Sequence, residues 1–431
     1  MLARVGRVLG GGVVVAGGAV TLQGDEGRRV LALQLARLDG ALRPTLAAVL
    51  PHEAFVCLYS AGRTPFIGAL SSGAQVPPPE SGAAPVHAMG LTFRNDLGNA
   101  AGLDKDGALL DFNYAIGAGF AVVGTVLSES HTGNVHSFLG GLWRGNAWTP
   151  LPQSGAALNS LGLPSKGVDA AMDSIAAFRA RHGVPPQQPG GGTGGGGTGS
   201  AVGTGAFPIG VSIMGHPAHG SDPAKKLDGV LHCVARALPL ADFIEINESC
   251  PNVHHGSADG AAATKELRAR LQAVVAVRDR AAKEHGRRVP ILVKLGDLGE
   301  PKATVRFLAQ LGIDGVVGLN TQKDYDAFDL PEADRALLAH YTQRYGGGLS
   351  GPPIRGRSTA QAAAAQAAVR DLRLAGAFTV IHVGGIQSPE DIQASRATGI
   401  ELRQWYTGLM HGLAQPAPQT LYARLTAATA K

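Results

Sequence analysis

The sequence predicts an α/β chain folded as a (β/α)8 barrel with a helical extension in front of it. Three observations carry that expectation. From about residue 86 onward, eight short apolar segments alternate with helical patterns in a single run. Such alternation favours a barrel over an open doubly wound sheet. Polar and glycine-rich residues gather directly after several of the apolar segments, at the strand end where barrels carry their chemistry. The composition, 45% hydrophobic and 16% charged over 431 residues, is that of a globular α/β enzyme with a full core.

The elements follow in order. Residues 1–24 hold Arg4 and Arg7, then an apolar, glycine-rich run from Val8 to Leu22, with no acid before Asp25. About 20 residues are needed to cross a bilayer, so this run is short for a span. It is expected to be a targeting segment or short membrane anchor, and the lack of acids and of paired cysteines favours an organelle over secretion. Residues 25–70 are helical in pattern. Leu31, Leu35, Leu38, Leu42, Leu46 and Leu50 recur at three- and four-residue steps, with breaks expected near Pro44 and Pro51, and a second apolar helix is expected over 52–61. The pair predicts a module lying on a membrane surface, although a helical cap packed on the barrel would give the same pattern. Residues 71–85, rich in Ser, Gly and Pro, form a linker.

The barrel is expected over 86–431. Its strands are predicted at 97–102, 120–125, 207–213, 242–247, 290–294, 315–319, 379–383 and 401–406, with helices at 222–237, 261–285, 301–311, 358–374 and 388–397. Residues 186–205 are a low-complexity Gly/Thr insertion, expected to be a flexible surface segment with no phosphate-binding role. Residues 322–346 form a long polar excursion expected to overhang the active end. The net charge of +5 is modest and aromatics are 5%, so nucleic-acid binding is unsupported. Cys57, Cys233 and Cys250 have neither metal-ligand nor disulfide spacing, so no metal site is expected.

The stretch Phe243–Val253 carries the chemistry. A strand-forming run is stopped by Pro251, and Asn247, Ser249, Cys250 and Asn252 stand together at its carboxyl end. Two amides and a thiol suit a small planar ligand and a proton transfer; a polar turn with a buried structural cysteine would look alike. Asn99-Ala-Ala-Gly-Leu-Asp-Lys105 follows the first barrel strand, and its small residues let a flat ring approach the backbone. Lys294 ends a buried apolar strand and must find an anion; a cofactor is favoured over a structural ion pair. Asn320 and Thr321 add an amide and a hydroxyl to the same rim. Gly346–Pro353 and Val383–Pro389 are glycine-rich loops running into helices, where backbone amides can cradle a phosphate. No dinucleotide fingerprint or Walker loop is present. A phosphate-bearing cofactor in a barrel without a Rossmann unit points to FMN.

Together these motifs resemble the dihydroorotate dehydrogenase family over roughly residues 25–428. The resemblance implies that FMN lies against Ala100, Ala101 and Gly102, with Lys105, Gly124, Thr125, Ser212, Asn247, Lys294, Leu319, Ser350, Gly351, Gly384, Gly385, Tyr406 and Thr407 on flavin positions. It implies that dihydroorotate and orotate meet Lys105, the loop Asn159, Ser160, Leu161, Gly162 and Leu163, and the polar groups of Asn247, Asn252, Asn320 and Thr321. Cys250 falls on the catalytic base. The N-terminal helices, with Gly24-Asp-Glu26 and Pro44-Thr-Leu46, look like the membrane-bound class 2 enzymes. That class is attached to the mitochondrial inner membrane or the bacterial one and reduces ubiquinone; the mitochondrial site is the expectation here. The chain departs from class 2 at Cys250, where that class has Ser, and at Ser212; both resemble the soluble class 1 enzymes. Ala47 and Pro150 stand where many class 2 enzymes have polar quinone-side residues. Glu248 is unusual and, by strand alternation, should point away from Asn247.

The implied activity is FMN-dependent oxidation of L-dihydroorotate to orotate in UMP biosynthesis, with electrons passed to a quinone. One alternative is a flavin barrel oxidoreductase with another pyrimidine-like substrate or another acceptor such as fumarate. A second, from a different class, is a non-catalytic membrane-associated scaffold.

Overall fold

The computed structural model describes residues 24–71, 83–188, 206–220, 222–248 and 260–426. Two helices open this part of the chain, α1 (Gly24–Val49) and α2 (His52–Leu70). The expected break at Pro44 is absent: α1 runs through it, and α2 runs through Pro65 well beyond residue 61. Proline removes one donor and strains the preceding turn, and the packing of these helices on each other and on the barrel outweighs that local penalty. Here α1 lies on α2 and reaches the C-terminal part of the chain, while α2 packs on strands and a helix above the barrel mouth.

A short hairpin, β1 (Val86–Ala88) with β2 (Leu91–Phe93), precedes the barrel. The barrel strands are β3 (Leu97–Asn99), β4 (Ala121–Val126), β9 (Ile209–Ile213), β10 (Phe243–Asn247), β11 (Ile291–Leu295), β12 (Gly315–Gly318), β14 (Thr379–Val383) and β15 (Leu402–Trp405). They stand in the order β3-β15-β14-β12-β11-β10-β9-β4, all parallel. All eight expected strands are present. The ring closes between β3 and β4 through a parallel bridge, Gly98 to Phe120. The Asn99 side chain reinforces it, donating to the Val122 carbonyl at 2.8 Å and accepting from the Val122 amide at 3.2 Å.

Alternation along the strands divides two cores. Ile244, Ile246, Ile291, Val293, Val316 and Val380 face outward into the layer shared with the helices. Phe243, Leu292, Val317, Ile381 and Leu402 face inward with Phe93 and Leu91 of the hairpin and fill the lower half of the barrel. A Cβ on Gly98 would stand 2.6 Å from the Phe120 ring, so only glycine leaves room for that aromatic inside. The upper half of the interior is polar.

The surrounding helices are α3 (Leu110–Ala115), α4 (Val168–His182), α5 (Pro223–Ala237), α6 (Gly260–His285), α7 (Pro301–Gln310), α8 (Glu332–Tyr345), α9 (Arg355–Asp371), α10 (Pro389–Ala397), α11 (Thr407–Leu413) and α12 (Leu421–Thr426). Buried ions tie the lower rim. Asp96 accepts from Arg396 at 2.5 and 2.8 Å and from the fully buried Arg403 at 2.6 Å. Asp242 accepts from Arg179 at 2.8 Å and from the amides of Gln187 and Ile209. Gln187 also pairs with the Thr92 backbone, so the chain is anchored at the lower end immediately before residues 189–205. Most of the glycine-rich insertion, like the leader 1–23, lies outside the described residues.

Besides the β1–β2 hairpin, two features were not anticipated. A three-stranded antiparallel sheet, β7 (Ala147–Leu151), β8 (Ala156–Ser160) and β13 (Gly348–Ser350), stands beside the mouth. A further hairpin, β5 (His136–Phe138) with β6 (Trp143–Gly145), packs on α2. The excursion 322–346 is less polar in effect than its composition suggests. Its helix α8 buries Leu337, Tyr341 and Tyr345 against α2 and β7, and Tyr341 donates to the Ala147 carbonyl at 2.8 Å.

Candidate active site

A pocket of about 980 Å³, counted with its open mouth, occupies the carboxyl end of the barrel. Strand ends contribute Thr125 from β4, Asn247 from β10 and Lys294 from β11. Loops after the strands contribute Ala100, Ala101, Gly102 and Lys105, then Leu319, Asn320 and Thr321, then Gly384 and Gly385, then Tyr406 and Thr407. The antiparallel sheet brings Asn159 and Ser350 across from the side, with Gly351, Leu161, Gly162 and Leu163 beside them. Asn159 and Gly348 are register partners on β8 and β13. Residues separated by most of the sequence thus line one cavity.

Three expected residues stand behind the lining. The Gly124 carbonyl accepts the Gly102 amide at 2.7 Å. The Ser212 hydroxyl meets the Thr125 hydroxyl at 3.2 Å, and Asn247 donates to the same Thr125 oxygen at 2.9 Å. Ser160 accepts from Asn134 at 3.4 Å. Cys250 and Asn252 lie outside the described residues.

Among the described residues, the charged side chains that line the pocket are Lys105 and Lys294, with no carboxylate beside them. Amides and hydroxyls supply the other polar groups, and Trp148, Ile354, Val383, Ile386 and Trp405 supply apolar surface. The set suits a flat ligand carrying negative charge. FMN fits it in two respects. Gly102, at φ +103°, opens into the pocket: a Cβ there would meet nothing nearer than 3.9 Å, and its neighbours would be the Lys105 ammonium and the Tyr406 ring. A planar ring can take the space that a side chain would fill. At the other end, Gly384 and Gly385 turn with φ of +120° and +77° beside Ser350 and Thr407, whose hydroxyls meet at 2.9 Å. Backbone and hydroxyl donors of that kind suit a phosphate.

Two buried titratable groups support the lining. Asp104, between Leu103 and Lys105, is 1% exposed, and burial pushes its carboxyl up to about 7. His382 of β14 stands behind the glycine turn. It meets the hydroxyls of Ser358 at 3.2 Å and Ser395 at 3.0 Å, and Ser358 reaches the Gly384 carbonyl at 2.5 Å. Burial, aided by the Arg403 charge, takes its imidazole down to about 4, so at neutral pH this histidine is uncharged.

Several contributors were missed by the sequence reading. Arg63 of α2 donates to the Tyr406 hydroxyl at 2.9 and 3.2 Å and to the Gly102 carbonyl at 3.3 Å. Ser60 of α2 bonds both the amide and the carbonyl of Trp148, each at 3.0 Å. The N-terminal helices are therefore joined to the pocket wall. Between them, Asp39 accepts from Tyr59 at 2.5 Å and from Arg43 at 3.0 Å. Glu248, unexplained from sequence, points away from the pocket and takes a bidentate pair with Arg270 of α6 at 2.6 and 2.8 Å. Lys294 has a carboxylate neighbour as well as the pocket: Glu245 stands 4.0 Å from its ammonium.

The family model for dihydroorotate dehydrogenase matches residues 84–419. A dihydroorotate dehydrogenase (quinone) of Burkholderia thailandensis is 35% identical over 368 residues, covering 84% of this chain and 88% of that protein. One from Burkholderia pseudomallei is 34% identical, covering 84% and 89%. In fold, the chain is similar to a crystal structure of DHODH from Eimeria tenella in complex with ferulenol. The TM-score is 0.62, with 20% identity and coverage of 85% of this chain and 89% of that one. The ligand-free type from the same organism gives a TM-score of 0.58 at 22% identity, with coverage of 87% and 92%. The two curated relatives are bacterial, so they lend no support to the expected mitochondrial inner membrane.

Proposed function

The chain belongs to the dihydroorotate dehydrogenase family, and from that premise we propose that it oxidises L-dihydroorotate to orotate with FMN as cofactor and a quinone as electron acceptor, a step of pyrimidine biosynthesis. The observation that carries this proposal is the pocket itself: two lysines, three asparagines and two glycine turns converge there, with no carboxylate among the described lining residues.

FMN would be held by Ala100, Ala101, Gly102, Thr125, Asn247, Lys294, Leu319, Ser350, Gly351, Gly384, Gly385, Tyr406 and Thr407, with Gly124 and Ser212 supporting from behind. When bound, it would supply the two-electron acceptance that breaking the substrate C6–H bond requires, and would release those electrons to the quinone. Lys105 meets the substrate carboxylate. Asn159, Asn247, Asn252, Asn320 and Thr321 hold the ring amides and carbonyls, while Ser160, Leu161, Gly162 and Leu163 form the loop beside them. Cys250 removes the C5 proton. The ordinary thiol pKa is about 8.5, so the thiolate needed at neutral pH must be favoured by cations nearby; Lys105 is the candidate.

The N-terminal helices meet a membrane surface in this proposal. Leu35, Leu38, Leu42 and Val49 recur on one face of α1 and are 46, 56, 46 and 68% exposed. No helix among the described residues is long and apolar enough to cross a membrane, and a surface-lying pair needs none.

The test is anaerobic reduction of the purified protein by L-dihydroorotate, followed in the flavin absorbance band, with quinone then added. Bleaching and recovery are expected. Bleaching without recovery would replace the acceptor, and a yellow protein that does not bleach would overturn the substrate. Cys250→Ala should retain FMN and lose steady-state turnover; retained turnover would move the base elsewhere.

A further inference from the structure

One charged group inside the barrel has no part in the proposed chemistry. Glu245 is fully buried, on the same inward face of β10 as Asn247 and one step below it. Its strand partner is Leu292, and Asn247 pairs with Lys294, so Lys294 lies diagonally above Glu245 on the inner wall. The Gln404 side chain, from β15 two residues before Tyr406, donates to Glu245 Oε2 at 3.0 Å. Glu245 Oε1 accepts no hydrogen bond among the described residues and faces the Lys294 ammonium at 4.0 Å.

A carboxylate stripped of water needs a cation, because an amide donor alone does not offset the loss of hydration. Among the described residues the cation beside it is Lys294, itself 4% exposed at the side chain. Their separation exceeds the roughly 2.7–2.9 Å of a charge-assisted hydrogen bond. The ammonium therefore stands between two claims: the carboxylate below and the pocket above, whose lining includes Lys294.

We propose that Glu245 is a positioning residue for the pocket floor: held by Gln404, it anchors the Lys294 ammonium from beneath and tempers the positive charge that Lys294 presents to an anionic flat ring. The inference rests on FMN occupying the pocket. Reduction adds electrons to that ring, so a carboxylate under the lysine makes the reduced form less favoured than Lys294 alone would.

The experiment measures the two-electron midpoint potential of the FMN-loaded protein, by equilibration with a reference dye at pH 7, for wild type and Glu245→Gln. The variant should bind reduced flavin about tenfold more tightly relative to oxidised flavin, a rise of about 30 mV for a two-electron couple. In a Lys294→Gln background the same substitution should shift the ratio by less than about twofold. Glu245→Met, apolar and of similar length, repeats the test if the glutamine variant does not accumulate. An unchanged potential in a yellow protein would overturn the role of Glu245 and leave the FMN assignment standing, as would an equal rise without Lys294. A wild-type protein that takes up no FMN would overturn the cofactor assignment and this inference with it.

Discussion

Asp104 and His382 are both buried, both close behind the pocket, and they tilt stability in opposite directions over one pH range. In the folded chain the Asp104 carboxyl sits at about 7; unfolded, it returns to about 3.9. Between those values the folded chain binds the extra proton, so stability falls as pH rises from about 4 to about 7 and levels off above. At about 1.4 kcal/mol for each pH unit, the loss is on the order of 4 kcal/mol. For His382 the folded value is about 4 and the unfolded one about 6.5. There the unfolded chain binds the extra proton, so stability rises with pH between about 4 and about 6.5, on the order of 3 kcal/mol. The two slopes offset each other in the parent. Asp104→Asn keeps the shape of the protonated acid and removes only the first slope. It should match the parent near pH 4 and exceed it near pH 8 by on the order of 4 kcal/mol. Denaturant unfolding of both proteins at each pH from 4 to 8 reads the difference directly. A difference that stays constant across the range would refute a carboxyl held protonated by burial.

Three more outcomes are expected. Arg63→Ala removes donors to Tyr406 and Gly102, a loss of about 1.5–3 kcal/mol for charged donors. Stopped-flow measurement should find reoxidation by quinone slowed about tenfold or more and reduction by dihydroorotate within about twofold of wild type. Asp96→Asn leaves Arg403 buried without its counter-charge, which costs about 3–5 kcal/mol and should appear as a lower urea midpoint with an unchanged slope. Arg270→Ala frees Glu248 from its bidentate pair. Since Glu248 precedes the loop carrying Cys250, kcat should fall several-fold while the dissociation constant for FMN, read by fluorescence titration, stays within about twofold.

Much of the fold was legible because barrel strands are local, apolar and regularly spaced: Ile291–Leu295 and Thr379–Val383 announce themselves without knowledge of their neighbours. The residues at strand ends were legible for the same reason, and Asn247, Lys294, Asn320 and Gly384 do meet in one pocket. What escaped depends on contacts distant in sequence. Strands β7 and β8 contain Pro150 and flank a glycine turn, and β13 has three residues, so no periodicity marks them; only their pairing makes a sheet. Arg63 lies in a mostly apolar helix, and its target is fixed by how α2 docks. Pro44 carries a breaking signal that packing overrules. Glu245 alternates with Ile244 and Ile246 as a half-exposed strand would, and only closure of the barrel turns that face into an interior.

The lower end of the barrel has a practical consequence. Ahead of residues 189–205, Gln187 is tied to Thr92 and Asp242, and after them the described chain begins again at the base of β9. Both junctions are secured at the face opposite the pocket. A reporter protein or immobilisation handle spliced between these two anchors would start and end on fixed stems. The chain therefore offers an internal port for tethering whose two ends are anchored away from the pocket.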